Sequence, residues 1–197
     1  RDGTIVLWDV PSQSVISRMC SASSAVNCIS LCSWSPESCP PKPTSTPDAR
    51  EVSTDGRLVV AALDDGTLRS FDLRSHGEIS VSKGQAPMSS CYGIIRSGAN
   101  VFVSGNEIGQ VCEWDSRKPG APLSSPFSRS KASITDIQRG PGNSSLWIAT
   151  ADGQLWLSDH SSVSGELKVL ADLAGHDYEP ISAISPFSSG KSVMSVS

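Results

Sequence analysis

The 197-residue chain has no apolar run near the roughly 20 residues that a membrane-spanning helix needs. It also has no basic stripe, because 16 basic and 20 acidic side chains are mixed along the sequence and leave a net charge of −4. Surfaces that bind nucleic acid or anionic membranes need clustered positive charge. We therefore expect neither nucleic acid nor a membrane as a direct partner.

Cysteine pairs with the spacing of metal ligands are also missing. The six cysteines stand at positions 20, 28, 32, 39, 91 and 112, and no histidine lies near the first four. They are too sparse for a small disulfide scaffold. We expect reduced thiols, an intracellular protein of the cytoplasm or nucleus, and neither metal nor cofactor.

Signatures of catalysis are scarce. The three histidines are His76, His160 and His176, and roughly one residue in five is serine, so a serine near a histidine carries no information. The chain has no Gly-x-Ser-x-Gly elbow and no glycine fingerprint for phosphates or dinucleotides. We predict that the chain is not an enzyme.

The sequence does contain an internal repeat. In four stretches a glycine is followed six residues later by an aspartate: Gly3 and Asp9, Gly66 and Asp72, Gly109 and Asp115, Gly153 and Asp159. The residue before each aspartate is, in turn, Trp8, Phe71, Trp114 and Ser158. A fixed period of this kind indicates one structural unit used several times.

The repeat period is about 44 residues, with one interruption. The glycines are 63, 43 and 44 positions apart. Excising the 18 residues from Glu37 to Thr54 restores a Ser-Pro-Asp-Gly turn and shortens the first interval to 45. That segment contains four prolines and no strand alternation, so residues 37–54 are predicted to be an inserted loop.

Each period contains short alternating runs rather than helical patterns. SITDIQ, LWIATA, QLWLSD and ELKVLADL are bounded by turn residues and predict four strands per period, or sixteen in the chain. The first run follows Asp2-Gly3, a pair that suits a tight turn, and Ile5, Leu7 and Trp8 are predicted to lie in a buried strand. Four short strands per unit are typical of an antiparallel propeller blade.

On these motifs the chain resembles the WD40 β-propeller family over nearly its whole length. The resemblance implies an all-β propeller domain over residues 1–197, with about four four-stranded antiparallel blades in units that end near residues 9, 72, 115 and 159. It implies a larger ring of about seven blades. The structural motif residues that it assigns are Asp2, Trp8, Asp9, Phe71, Asp72, Trp114, Asp115, Asp152, Asp159, His176 and Ser195.

The family's buried hydrogen-bond network, which links a histidine, a hydroxyl, a turn aspartate and a tryptophan, is incomplete here. The second unit has Phe71 for the tryptophan and Ala61 for the hydroxyl. Ile108 replaces the turn aspartate of the third unit, and Ser158 replaces the tryptophan of the fourth. We expect these blades to depend more on apolar packing than on the network.

The two ends of the sequence complement each other. Joining them would restore the signature with His176 and Ser195 from one end and Asp2 and Trp8 from the other. One explanation is that the chain is an excerpt of a longer propeller, with the end strands in different blades. The alternative is that the end strands pair and close one blade.

The resemblance implies a non-catalytic scaffold for proteins or peptides within an intracellular complex. Its binding face would be formed by the loops before each first strand and the turns after each second strand. The residues that it would carry there are Asp64, Asp65, Glu107, Lys131, His176, Asp177 and Tyr178.

A second resemblance concerns the opposite face. Substrate receptors of cullin-four ubiquitin ligases carry a Trp-Asp-x-Arg box whose arginine contacts an adaptor. Residues 114–117 match this ending, and residues 71–74 match it apart from Phe71. A ligase receptor with Arg74 or Arg117 at the adaptor is therefore an alternative function.

Overall fold

The computed structural model describes residues 3–21, 24–33, 57–73, 77–96, 99–115, 118, 120–142, 144–161, 167–187 and 192–197. This part of the chain contains sixteen strands and no helix, which confirms the predicted all-β class. Among these residues there is accordingly no helix with the length and apolar character that crossing a membrane requires. The predicted insert, residues 37–54, lies outside the described residues.

The strands form five antiparallel sheets in chain order. The first sheet contains β1 (Thr4–Asp9) and β2 (Ser14–Ser21), and the fifth contains β15 (Ala183–Pro186) and β16 (Val193–Val196). The second sheet contains β3 (Val26–Ser33), β4 (Arg57–Leu63), β5 (Thr67–Asp72) and β6 (Gly77–Lys83). The third sheet contains β7 (Met88–Arg96), β8 (Ala99–Asn106), β9 (Gln110–Asp115) and β10 (Phe127–Ser128). The fourth sheet contains β11 (Ile134–Arg139), β12 (Ser145–Thr150), β13 (Gln154–Asp159) and β14 (Lys168–Ala174).

The three middle sheets have the four-stranded antiparallel form of a propeller blade, as predicted. In each, the strands are hydrogen-bonded in sequence order. The first strand of each sheet packs against the first strand of the next, so β3 contacts β7, β7 contacts β11, and β11 contacts β15. Successive sheets therefore stack face to face, with their first strands along one side of the stack.

Alternation along the second strands explains this stacking. On β4, Leu58, Val60 and Ala62 face the third sheet, where they pack with Phe102 and Trp114. The residues between them on β4 belong instead to the cluster shared with the first sheet. Both faces of this strand are buried, and each large side chain contributes roughly 1.5–3 kcal/mol through removal from water. Similar clusters join the third sheet to the fourth and the fourth to the fifth.

The repeated glycines confirm the predicted turns. Gly3, Gly66, Gly109 and Gly153 have φ angles of 65°, 79°, 77° and 78°. These values lie in the left-handed region, which a side chain at Cβ disfavours. The sequence period is therefore a repeated backbone geometry at the turn before β1, β5, β9 and β13.

Trp8 departs from the prediction of a buried strand. Ile5 is buried and Leu7 is partly buried against the second sheet, but Trp8 is 59% exposed. Because successive side chains of a strand point to opposite faces, Trp8 lies on the face of β1 that is turned away from the second sheet.

The end strands belong to different sheets in the described structure. β1 is hydrogen-bonded to β2, and β16 is hydrogen-bonded to β15. In the register of these two sheets, Thr4 lies opposite Ser21 and Ala183 lies opposite Val196. Asp2, one of the four residues of the predicted joint network, lies outside the described residues.

Candidate functional site

One edge of the stack is assembled by the same hydrogen bond in successive sheets. The N–H of Asp64, Glu107 and Ala151, each in the turn after a second strand, donates to the carbonyl oxygen of Ala25, Pro87 and Ser133 respectively. Those acceptors precede the first strands of the same sheets. We call this edge the turn face: the turns at 64–66, 107–109 and 151–153, with the connections 84–87, 129–133 and 175–182.

Glycines allow neighbouring sheets to pack closely at the turn face. A Cβ on Gly109 would overlap the carbonyl oxygens of Ser130 and Ala132 in the connection to the fourth sheet. One on Gly153 would lie 2.9 Å from the carbonyl oxygen of Glu179 in the connection to the fifth. Each turn therefore packs directly on the loop that leads to the next sheet, and the face is continuous.

The predicted partner-binding residues all lie on the turn face. Asp64, Asp65, Glu107, Lys131, Asp177 and Tyr178 are exposed, and His176 is partly buried. Glu179 is a further exposed carboxylate in the same connection as Tyr178. The face thus presents several acidic side chains and Lys131 to solvent.

Tyr178 is the most exposed large apolar side chain of the described residues, at 88%. Its backbone φ is 70°, and that of Asp177 is 43°, so two successive residues other than glycine are left-handed. Such conformations cost of order 1–3 kcal/mol and are found where the surrounding structure enforces them. Here Gly153 permits the close approach of the Tyr178 backbone, and the Glu179 N–H donates to the His176 carbonyl oxygen at 2.7 Å.

Two of these residues also have partners within the chain. Asp65 Oδ1 accepts hydrogen bonds from the Thr67 N–H at 2.9 Å and from its hydroxyl at 2.5 Å. His176 Nε2 lies 2.6 Å from the Ser195 hydroxyl. Asp65 therefore stabilises its turn, and His176 joins the connection to β16, which leaves less of either side chain for a partner.

The third sheet keeps more of the buried network than the sequence indicated. Trp114 Nε1 donates to the Ser104 hydroxyl at 2.9 Å, and both side chains are 1% exposed. Asn106 takes the place of the missing turn aspartate at Ile108, because its Oδ1 accepts from the Ile108 and Gln110 N–H groups at 3.2 and 2.8 Å. Asn106 therefore fills the position that the sequence left empty at Ile108, while the greater dependence of this blade on apolar packing stays a prediction.

Each described aspartate of the predicted motif serves a turn or a strand end. Asp9 accepts a hydrogen bond from the Ser12 N–H at 3.1 Å, and Asp152 accepts one from the Thr150 hydroxyl at 2.5 Å. Asp72 and Asp115 are buried at the ends of β5 and β9, and Phe71 is buried beside Asp72.

Asp159 accepts hydrogen bonds from Ser144 and Ser161. Burial alone would raise the pKa of its carboxyl, but the Ser161 hydroxyl and N–H, the Ser144 hydroxyl and nearby His160 together lower that pKa below its ordinary value.

Sequence reasoning missed a buried polar chain between the third and fourth sheets. The Ser158 hydroxyl lies 2.7 Å from His160 Nε2, and His160 Nδ1 lies 2.5 Å from Glu113 Oε1. Their exposed fractions are 0%, 0% and 2%. The available signal was Glu113 itself, a charged residue in the middle of a strand whose neighbours are apolar, since a buried charge requires a partner.

The order serine, histidine and acid is that of a hydrolase triad. A nucleophile must contact its substrate, however, and Ser158 has no exposed surface, so a substrate cannot reach it in this structure. Its hydroxyl is also 3.2 Å from the Leu146 carbonyl oxygen, within its own sheet. The chain of bonds therefore joins two sheets. No group of three metal-ligating side chains occurs among the residues that the structure describes.

The predicted adaptor contacts, Arg74 and Arg117, lie outside the described residues, so a ligase-adaptor site stays a prediction.

The chain is similar to three curated proteins. It is 29% identical over 192 residues to the probable proteasomal ATPase-associated factor 1 of Dictyostelium discoideum, covering 88% of this chain and 43% of the relative. It is 24% identical over 145 residues to the proteasomal ATPase-associated factor 1 of Gallus gallus, covering 74% and 34% respectively. It is 28% identical over 149 residues to the protein transport protein SEC31 of Kluyveromyces lactis, covering 66% and 12%.

The chain thus spans less than half the length of these relatives. No family model matches it.

Proposed function

We propose that the chain is part of a non-catalytic WD40-type scaffold that binds other proteins through the turn face. The observation that carries this proposal is the exposed Tyr178, held in a left-handed backbone conformation beside Gly153. Exposed aromatic side chains on a fixed backbone make strong anchors for partner proteins, because little conformational freedom is lost on binding. The surrounding carboxylates and Lys131 supply a polar rim.

The proposed partner is a proteasomal ATPase within an intracellular complex, cytoplasmic or nuclear. Two of the three similar proteins, from Dictyostelium discoideum and Gallus gallus, are named as proteasomal ATPase-associated factors. The similarity to each extends over most of this chain, which supports assigning the same class of partner to it. The SEC31 similarity covers only 12% of that protein and supports no second partner.

The absence of catalysis is part of the same proposal. Ser158, His160 and Glu113 have the residue types of a triad, but their burial closes them to a substrate. The remaining described histidine, His176, has Ser195 as its partner at the edge of the fifth sheet. Both arrangements support structural roles for these side chains.

Binding to purified proteasomal ATPase subunits tests the proposal. The wild-type chain is expected to bind, and Tyr178→Ala is expected to weaken binding about 30-fold, as for an anchor that contributes about 2 kcal/mol. Phe187→Ala is the matched control, because Phe187 is an exposed aromatic residue beyond the other end of β15. Its affinity should stay within about twofold of the wild type.

Two results would contradict different parts of the proposal. If the wild-type chain binds no ATPase subunit, the partner is wrong. If Tyr178→Ala and Phe187→Ala weaken binding equally, the assignment of the binding site to the turn face is wrong, even though the assigned partner is right.

A further inference from the structure

Two cysteines meet where the second and third sheets pack together. Cys28 is on β3 and Cys91 is on β7, the first strands of these sheets. Cys28 Sγ lies 3.8 Å from the carbonyl oxygen of Cys91, and Cys91 Sγ lies 3.9 Å from the carbonyl oxygen of Cys28. Both are free thiols. These reciprocal contacts place the two thiols at the same level of adjoining strands.

The two thiols differ in their access to solvent. Cys91 is 2% exposed, and its thiol is also 3.6 Å from the Val60 carbonyl oxygen. Cys28 is only partly buried. A soluble oxidant can therefore reach Cys28 first, while Cys91 is positioned behind it.

The surroundings also favour the thiolate of Cys28. The Cys91 side chain donates a hydrogen bond to Cys28 and lowers the pKa of Cys28 to about 7, although burial opposes this shift. Burial raises the pKa of Cys112, on β9, to about 11. Because the thiolate is the nucleophile, Cys28 is more reactive than Cys112 at neutral pH.

We propose that Cys28 and Cys91 form a reversible oxidation site, in which hydrogen peroxide converts the two thiols into a disulfide that joins the second and third sheets. The proposal rests on the contact between β3 and β7 and does not depend on the partner of the turn face.

The chemistry takes place in two balanced steps. The Cys28 thiolate attacks one oxygen of the peroxide, the O–O bond breaks, and the released hydroxide takes up a proton to leave as water, with a sulfenic acid at Cys28. The Cys91 sulfur then attacks the Cys28 sulfur, the S–S bond forms as the S–O bond breaks, and the Cys91 proton leaves in a second water. Two electrons pass from the thiols to the peroxide. Glutathione returns them by thiol-disulfide exchange.

The disulfide would restrain β3 and β7, the two strands that begin at the turn face. The Asp64 N–H bonds to Ala25, three residues before Cys28, and the Glu107 N–H bonds to Pro87, four residues before Cys91. Oxidation therefore fixes the separation of the strands that lead from both of these contacts.

Mass spectrometry of the folded wild-type protein tests the proposal without any variant. The protein is treated with hydrogen peroxide, its remaining thiols are alkylated, and the digest is analysed without reductant. We expect a peptide pair joined through Cys28 and Cys91, which dithiothreitol separates. Joining of Cys28 to Cys20, Cys32 or Cys39, or oxidation of both residues without a cross-link, would overturn the proposal.

Variants assign the two roles. Cys91→Ser should leave a sulfenic acid at Cys28 that dimedone traps, whereas Cys28→Ser should leave Cys91 reduced. Cys112→Ala is the matched control and should keep the cross-link. In the wild-type protein at pH 7, iodoacetamide should modify Cys28 on the order of 100-fold faster than Cys112, since the larger thiolate share outweighs the lower nucleophilicity. Equal rates at Cys28 and Cys112 would contradict the assignment of Cys28 as the attacking thiol.

Discussion

The imidazole of His160 and the carboxylate of Glu113 meet across the boundary between the fourth and third sheets, with Nδ1 and Oε1 2.5 Å apart. The two residues are 47 positions apart in the sequence, about one repeat. Both are fully or almost fully buried. This bond gives the boundary a polar connection in addition to the apolar cluster around Trp156.

The His160→Ala variant is expected to lower the free energy of unfolding by about 3–5 kcal/mol, because it leaves the Glu113 carboxylate buried without this partner. His176→Ala is the control: it removes an imidazole with a serine partner at a partly buried site, and about 1 kcal/mol should be lost. Urea denaturation at pH 7 measures both. Similar losses for the two variants would show that the Glu113 bond contributes little.

Substitution of two equally buried tryptophans separates the contribution of a hydrogen bond to stability from the contribution of packing. Trp114 Nε1 donates to Ser104, whereas Trp156 Nε1 has no hydrogen-bond partner among the described residues, although both side chains are 1% exposed. Trp114→Phe should therefore cost about 1 kcal/mol more than Trp156→Phe in chemical denaturation. The reverse order would mean that packing around Trp156, including the Phe127 ring 5.7 Å away, dominates.

The lowered pKa of Asp159 predicts that the free energy of unfolding depends on pH in the acid range. Because folding lowers its pKa below the ordinary value of 3.8, the charged carboxyl stabilises the protein above that pH, and this contribution is lost as the pH falls through the lower, folded-state pKa. The stability difference between the wild type and Asp159→Asn should shrink as the pH falls below about 4. A carboxyl titration followed by NMR should show a higher Asp159 pKa in Ser161→Ala, which removes the hydroxyl and keeps the N–H. An unchanged pKa would exclude the Ser161 hydroxyl as a cause.

Alanine substitutions at two glycines with positive φ distinguish the cost of backbone strain from the cost of steric overlap. Gly142 has a φ of 91°, and apart from its chain neighbours no described atom lies within 4 Å of an added Cβ, so Gly142→Ala should cost about 1–2 kcal/mol through conformation alone. Gly109→Ala adds overlap with the Ser130 and Ala132 carbonyl groups and should cost roughly 1–3 kcal/mol more. Thermal unfolding compares the two variants, and equal losses would show that the turn face adjusts freely.

Deleting residues 37–54 should leave the protein folded. Ser33 at the end of β3 pairs with Arg57 at the start of β4, and the deletion leaves five residues to connect them. Five residues also connect β11 to β12. The shorter connection should favour folding by about 1 kcal/mol, at about 0.6 kcal/mol per doubling of loop length. A large loss of stability would mean that the deleted segment packs against a sheet.

The fold could be predicted because it is encoded locally. The Gly-to-Asp period of about 44 residues identifies the turns, and alternating runs such as QLWLSD identify the strands, with β13 matching that run in full. Such signals need only the neighbouring residues in the chain. The same holds for the exposed side chains of the turn face, since they stand at turn positions of the repeat.

The polar contacts could not be predicted in the same way. His160 follows a strand and reads as a loop residue, but its partner Glu113 is on the preceding sheet and depends on how two sheets stack. The role of Asn106 in its turn could not be predicted from the repeat either, because its side-chain oxygen is two positions earlier than the aspartate that the repeat places at Ile108. Residue type predicts that Trp8 lies in a buried strand, whereas the alternation of side chains along β1 places Trp8 on its exposed face.

The apolar clusters also determine how a local loss of stability affects the other sheets. Each cluster joins two successive sheets, and none extends to a third among the described residues. The free energy of the stack is then close to a sum of sheet terms and nearest-neighbour coupling terms, as in a linear array of interacting units. A weakened boundary would divide the array into two separately melting blocks, so the strength of a single interface, rather than the total core, decides whether the chain unfolds in one transition.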